Sequence, residues 1–400
     1  METITLQDGL QYLVNDRRIV AGAAVAWGNG ERADSLALGS AREVLKSNGT
    51  FVPAAVPLTR DSVFDLASVT KLFTCLSVLL LRQEGKLNLE DPVGRFDRRF
   101  TGISDVPVGD LLSFLQPLGT RRRIDEMDDR HEAERELFQL QKTPQIPGRY
   151  YTDMGSMALK YVIEGASGRG FYDYLKERVL LPLDMTDTWS RVPEEVLSRT
   201  VCYNYERRIN GGVYTVDEGC PTGTVNDKKA RVLSDGGRDL CGHAGLFSTV
   251  GDLSKLARGL IWDALFPHAV LTEMGTARTG KGEPVNGNTQ YLGYLCYAKH
   301  PIQTYSEVPA CFGYRTVALN GYTGNHFSVD PERNQFIVIL ANKTHNRITS
   351  YKGRPDPFDA TEALPWPDGH AYPVSQNYTY LKDRYIKEPV AALLDGGAAE

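Results

Sequence analysis

The segment DSVFDLASVTKLFTCLSVLLLRQEG, residues 61–85, restricts the fold more than any other part of the chain. At 3.6 residues per turn its apolar side chains fall on every side, the mark of a helix enclosed by the rest of a protein. The helix is expected to stop near Gly85, where a residue without a Cβ can end it. The longest apolar run, Leu72 to Leu81 interrupted by Thr74 and Ser77, is about half the length that a membrane span needs, so no membrane segment is expected. A lysine inside such a helix is costly to bury. Lys71 follows Ser68 by three positions, so the two share a helical face and the ammonium can reach the hydroxyl. Burial beside Leu72, Phe73 and Leu76 should lower the lysine's pKa and fit it to take the serine's proton, while the helix N-terminus favours developing negative charge. This is the only S-x-x-K in the sequence, and its simpler reading is a serine helix cap.

The rest of the composition narrows the function classes. A formal charge of −5 leaves no basic excess for nucleic acid. The N-terminus METITLQDGLQYLV lacks the basic start and apolar core of an export signal, which points to a cytoplasmic protein. Six cysteines without a C-x-x-C pair fit reduced thiols better than a disulfide frame. Cys241-Gly242-His243 lacks a second ligand pair at zinc spacing, so neither a metal nor another cofactor is expected.

Chain order predicts an α/β (α+β) molecule. VAGAAVAWGNGERADSLALGSAREV reads as a hairpin about Asn29-Gly30. VPVGDLLSFL, DDRHEAERELFQLQ and MGSMALKYVIEGASG read as helices. YLGYLCYAKH, RTVALNGYTGNHFSVD and NQFIVILANKT read as strands, with a turn at Pro331–Asn334 between the last two. YTYLKDRYIKEPVAALL reads as a closing helix. The expected organisation is an antiparallel sheet flanked by helices, from residues 1–66 and 236–400, with a mostly α-helical subdomain, residues 67–235, inserted between the sheet halves and a site at their interface.

On these residues the chain resembles the serine β-lactamase and penicillin-binding-protein superfamily, on its class C, DD-peptidase, carboxylesterase and transacylase side. FDLASVTKLF with EGKLNLEDPV resembles the first box, PGRYYTDMGSMALKYVIEGASG the second, and NGYTGNHFSVDPERNQFIVILANKT the third. GHAGLFSTVGDLSKLARGL is similar to the segment that returns the chain from the helical domain. The matches run in family order over roughly residues 20–345. The resemblance implies a β-lactamase/transpeptidase-like fold with Ser68 as nucleophile, Lys71 and Tyr151 as proton-handling partners, and Asp153 holding Lys71 and substrate. It also implies substrate-binding and oxyanion roles for Tyr322, Thr323, Gly324 and Asn325, with the N–H groups of Ser68 and Asn325 forming the oxyanion hole. An ionised Asp153 would raise the lysine's pKa and move the base role toward Tyr151.

Three departures stand out. Tyr322 occupies the place of a family Lys or His, so a carboxylate finds no cation in this box. LLSFLQPLGT replaces a His-Thr-Ser-Gly-Leu wall. Residues 346–376, with five prolines, intervene where relatives continue directly into a helix. His243 and His345 are read as structural. The resemblance therefore implies an intracellular acyl-enzyme catalyst that passes an acyl group from a small ester or activated donor to water or to an amine or alcohol. The alternatives are a β-lactamase or DD-peptidase-type amidase, and a ligand-binding module without catalysis. The expected partners are a small-molecule acyl donor and an amine or alcohol acceptor, with neither nucleic acid nor membrane.

Overall fold

The computed structural model describes residues 4–280, 289–301, 303, 306–352 and 363–396. Its centre is a six-stranded antiparallel sheet. The N-terminal hairpin supplies β1 (Gly22–Asn29) and β2 (Ala33–Ser47), followed by β3 (Thr50–Pro57). A second hairpin, β4 (Glu206–Asn210) and β5 (Val213–Asp217), belongs elsewhere. The sheet resumes with β6 (Val317–Asn320), β7 (His326–Asp330) and β8 (Gln335–Ala341), giving the order β6-β7-β8-β1-β2-β3. The chain ends thus meet in mid-sheet, with Val25 opposite Ile339.

Strand alternation divides the two faces. Val25, Ile337 and Ile339 pack with Leu10, Ile386 and Val390 from the terminal helices. Ala24, Ala26, Phe336, Val338 and Leu340 face the larger core, which contains the central helix α1 (Thr70–Gln83). Every residue of α1 from Thr70 to Leu81 is buried, as the all-round apolar pattern requires, and Gly85 follows at φ +69°. Helix α2 (Met154–Ser167) ends on Gly168 at φ +70°. Helix α3 (Val250–Ile261) packs against the sheet from the return segment. The closing helix is present over Tyr378–Lys382, Asp383–Lys387 and Glu388–Gly396.

Two elements differ from expectation. YLGYLCYAKH forms bridges at Leu292–Tyr297 and Tyr297–Ala318 instead of a strand. Leu295 takes φ +48° and a Cβ on Gly293 would lie 2.1 Å from the Met274 carbonyl, so the backbone folds back where alternation suggested extension. Within residues 67–235, β4 and β5 turn at Gly211-Gly212, and β4 pairs in parallel with β9 (Ile348–Lys352). This small sheet joins the helical segment to the proline-rich insertion. Ile209, Ile348, Trp366, Tyr372 and Val374 form its core. Residues 353–362 of the insertion lie outside the described residues. All six cysteines are unpaired thiols. Among the described residues no helix is long and apolar enough to cross a membrane.

Candidate active site

Ser68 lies in the 3-10 turn Ala67–Val69 immediately ahead of α1. Ala67 takes φ +47°, a left-handed backbone that a β-carbon disfavours. The Asp65 carboxylate holds this turn, accepting the N–H of Ala67 at 2.8 Å and of Asn226 at 2.6 Å. Burial is the largest influence on Asp65 and lifts its pKa to about 6 against those two bonds. The Asp65 carbonyl in turn accepts Thr323 Oγ1 at 3.1 Å and Asn325 Nδ2 at 2.8 Å. The third box is thereby fastened to the backbone three residues ahead of the serine.

Lys71 is fully buried, and its Nζ donates to Ser68 Oγ at 3.0 Å, to Asp153 Oδ1 at 2.7 Å and to the His243 carbonyl at 3.4 Å. Asp153 is positioned as the residue before α2. Burial, the largest influence on Lys71, pushes its pKa down, but Asp153 and then Tyr151 push it further up, and the net direction is upward. Burial likewise raises Asp153, and Lys71, His243 and Lys229 together hold it well below the usual carboxylate range. The expectation of a lowered lysine pKa is thus corrected: a carboxylate 2.7 Å away outweighs desolvation, and Lys71 is an ammonium at neutral pH.

The charges continue past Asp153. Lys229 Nζ lies 3.3 Å from Asp153 and 3.1 Å from Asp227, and His243 Nε2 lies 2.9 Å from Asp227. Asp153, Asp227 and His243 offer ligand atoms within 4.8 Å of one another, but the ammonium groups of Lys71 and Lys229 already supply positive charge to these carboxylates. For His243, burial is the largest influence and lowers the pKa, while Asp227, Cys241 and Asp153 overcome it and set a value of about 10 against an ordinary 6.5. A pKa raised on folding contributes stability that is complete below about 6.5 and is lost as pH rises through about 10. Thermal melts at constant ionic strength are therefore expected to fall more steeply across that window for the wild type than for His243→Asn. Equal slopes would rule out a buried imidazolium.

Tyr151 closes the other side of Lys71, whose Nζ lies 4.8 Å from the phenol ring centroid. Its ring is sandwiched by Phe114, at 5.4 Å, and Tyr297, at 5.7 Å with an interplanar angle of 6°. Phe114 belongs to the divergent wall LLSFLQPLGT and takes φ +57°. Tyr297 comes from the folded-back segment expected as a strand, and its N–H is tied to the edge strand through Ala318 O at 2.7 Å.

Tyr322, Thr323, Gly324 and Asn325 form the turn between β6 and β7, so the third box lies in a loop at the sheet edge. Gly324 takes φ +116°, and a Cβ there would come within 3.2 Å of Ala341 and 3.3 Å of Tyr378, which accounts for the glycine. Asn325 is buried, and its Oδ1 accepts the N–H of Ala341 at 3.1 Å. Tyr322 is half exposed, and its hydroxyl donates to buried Glu206 on β4. His345 serves the backbone: Nε2 accepts the Glu43 N–H at 3.1 Å and Nδ1 faces the Asn204 carbonyl at 3.1 Å. Burial, its largest influence, and Arg347 hold it neutral, with a pKa of about 4.

The structure therefore gathers Ser68, Lys71, Tyr151 and Asp153 in one group and brings Thr323 and Asn325 against its rear. Sequence reading missed Asp65, Asp227, Lys229, Glu206, Phe114 and Tyr297 as members or supports. A signal existed for Asp227, which precedes a short helix and caps it through the Ala230 N–H at 3.0 Å. Two clefts of about 360 and 560 Å³, one beside Lys299 and Lys387 and the other beside Trp27 and Trp262, are lined by none of these residues.

Comparison with known proteins identifies the family and the fold. The putative D-alanyl-D-alanine carboxypeptidase of Escherichia coli strain K12 is 25% identical over 409 residues, covering 93% of this chain and 86% of its own length. Simvastatin synthase (LovD6 mutant) from Aspergillus terreus superposes with a TM-score of 0.67 at 14% identity, over 98% of this chain and 97% of that one. EstCE1, a hydrolase with promiscuous acyltransferase activity, gives 0.64 at 17% identity over 95% and 97%. At such identities the two structures speak for the fold alone, and they bear out the expected β-lactamase/transpeptidase-like architecture. The profile of the Beta-lactamase family matches residues 8–354, most of the chain, and the chain belongs to that family.

Proposed function

We propose that this protein is a serine acyl-transfer catalyst. The observation that carries the reading is the Ser68 hydroxyl 3.0 Å from a buried lysine that Asp153 keeps charged. Ser68 Oγ attacks the carbonyl of a small ester or activated acyl donor. Its proton passes to Tyr151 as base, a role the adjacent Lys71 ammonium supports. The N–H groups of Ser68 and Asn325 take the charge of the tetrahedral intermediate. Tyr151 returns the proton to the leaving group, and water, an amine or an alcohol then removes the acyl group. The wall residue Phe114 and the tail segment adjoining the third box favour a dedicated donor and acceptor.

A second reading has a specific support: two relatives that match across 93% of the chain carry the name putative D-alanyl-D-alanine carboxypeptidase, which would make the donor a peptide amide. Intact-protein mass spectrometry separates the readings. The wild type is mixed with activated esters, a β-lactam and a peptide ending in D-Ala-D-Ala, then chased with water or a simple amine. An ester adduct released faster by the amine, with amide formed, supports transacylation; release by water alone supports an esterase. Turnover of the peptide with ester inertness would replace the ester reading by the peptidase. Absence of any adduct or turnover would favour a ligand-binding module.

A further inference from the structure

Asp65 is a carboxylate that touches no reacting atom, and it sits where a charge is expensive. It is fully buried in a two-residue strand, Phe64–Asp65, paired antiparallel with Phe247–Ser248. Among the described residues no ammonium or guanidinium lies within ion-pair distance of it, and its two oxygens both face backbone. Oδ1 accepts the N–H of Ala67 and Oδ2 that of Asn226. The titratable groups that act on it from the surrounding segments are Asp227 and Arg231, which follow Asn226, together with Tyr203 and Cys220. Phe247, Ser248, Thr323 and Asn325, which also adjoin it, carry no titratable side chain.

The two bonds reach different parts of the site. The first restrains Ala67 at φ +47°, a left-handed backbone that a residue with a Cβ leaves unless something holds it, and Ser68 is next in the chain. The second holds Asn226, which precedes Asp227. Asp227 pairs with His243 and Lys229, and Lys229 reaches Asp153, the partner of Lys71. The nucleophile and the charges around its lysine are thus tied to opposite oxygens of one carboxylate. Charge is what allows both ties at once. An ionised carboxylate offers an acceptor to each N–H, whereas a protonated acid or an amide turns one oxygen position into a donor, and one N–H then faces another donor.

Resting on the acyl-transfer reading, we propose that Asp65 is a positioning residue for acylation that works only as a carboxylate: it holds the Ser68 turn and the Asn226–Asp227 segment in place together, and its protonation uncouples them. Burial, its largest influence, raises its pKa from 3.8 to about 6. Lys71 and Asp153 are shifted away from that range, Lys71 upward and Asp153 downward, and His243 titrates at about 10. A carboxyl pKa raised on folding contributes stability that is complete below 3.8 and is lost as pH rises through about 6. The ionised form that the serine turn needs is therefore the form that folding disfavours, and this group drives activity and stability in opposite directions with pH.

The test labels the full chain with an alkyl fluorophosphonate. The Ser68 oxygen forms a bond to phosphorus, fluoride leaves, and the serine proton goes to the base. Rates are read by intact-protein mass spectrometry from about pH 5 to 8 across the expected limb, with Ser68→Ala as background and melting temperatures taken in the same buffers. The wild-type rate is expected to rise through an acid limb at about 6. Asp65→Asn, which mimics the protonated acid, is expected to label on the order of 10²-fold more slowly above that limb, the scale of a misplaced reacting group, and to lack the limb itself. Its melting temperature is expected to gain on that of the wild type as pH rises. A merely structural role predicts a lower melting temperature and an unchanged limb in the molecules that stay folded. If Asp65→Asn fails to fold, Arg231→Met, on a half-buried side chain, removes a charge that favours ionised Asp65 and is expected to move the limb to higher pH at low salt. A wild-type rate without the limb, a limb that survives in Asp65→Asn, or one that stays in place in Arg231→Met overturns the positioning role. If the wild type is not labelled at Ser68 at any pH, the serine reading itself fails and takes this role with it.

Discussion

Replacing Ser68 by alanine is expected to lower kcat/KM for any ester turned over by the wild type by several powers of ten and to abolish the covalent adduct, with little change in thermal stability. The catalytic loss follows from removing the one atom that forms the acyl bond; what remains is whatever the oxyanion donors and substrate binding achieve with water as the attacking group. The stability argument is local. Ser68 Oγ accepts one bond from Lys71, and without it the ammonium keeps Asp153 at 2.7 Å and the His243 carbonyl at 3.4 Å. The turn itself is held through Asp65, whose bonds to Ala67 and Asn226 involve backbone N–H groups and do not depend on the serine side chain. Steady-state kinetics and mass spectrometry on a variant with an unchanged melting temperature check this. An adduct on Ser68→Ala would place the nucleophile elsewhere and sink the assignment.

The parts of this molecule that could be read from its sequence are those where local pattern and burial agree. An all-round apolar helix has one place to go, and α1 is there. The hairpin about Asn29-Gly30, the closing helix and the glycine that ends α2 likewise follow from turn and cap chemistry within a few residues. The third-box glycine takes a φ of +116°, a backbone that a residue without a Cβ adopts readily. What could not be read depends on residues brought together from afar. The apolar run Tyr291–Ala298 alternates well enough for a strand, but contacts with Met274 and Leu112 bend it, and only the bent form carries Tyr297 to Tyr151. The charge of Lys71 was undecidable from burial alone, because its sign depends on whether Asp153 is ionised. That in turn depends on Lys229 and His243, from segments with no helical or strand periodicity linking them to the serine. The Asn210-Gly211-Gly212 turn closes a hairpin inside the segment expected to be mostly helical, and which sheet it joins is set by the parallel pairing with β9, more than 130 positions away in the chain.

The charge state of Lys71 also decides how its removal should behave. Lys71→Met takes a cation away from Asp153 and leaves a carboxylate that is largely desolvated, with Lys229 at 3.3 Å as its nearest remaining counter-charge. Breaking a buried pair by removing one partner costs about 3–5 kcal/mol, and the residual Lys229 contact places this variant toward the lower end, about 3 kcal/mol. Lys71→Met/Asp153→Asn removes the stranded charge as well and is expected to recover more than half of that loss in urea unfolding, since a neutral pair of similar volume carries no ionic desolvation cost. Neither variant should acylate at a measurable rate, because Tyr151 has lost the ammonium beside its ring. Asp153→Asn alone then separates two assignments of the base. Without the carboxylate, burial becomes the dominant influence on Lys71 and its pKa falls. If the neutral amine were the base, acylation at neutral pH would speed up and its acidic limb would move to lower pH. With Tyr151 as base, the same substitution weakens the cation beside its ring, and acylation at neutral pH is expected to slow by about 10²–10³, within the range that general acid–base catalysis contributes. A rate increase in Asp153→Asn would overturn the tyrosine assignment while leaving Ser68 as nucleophile, so the direction of that one change identifies which group receives the proton.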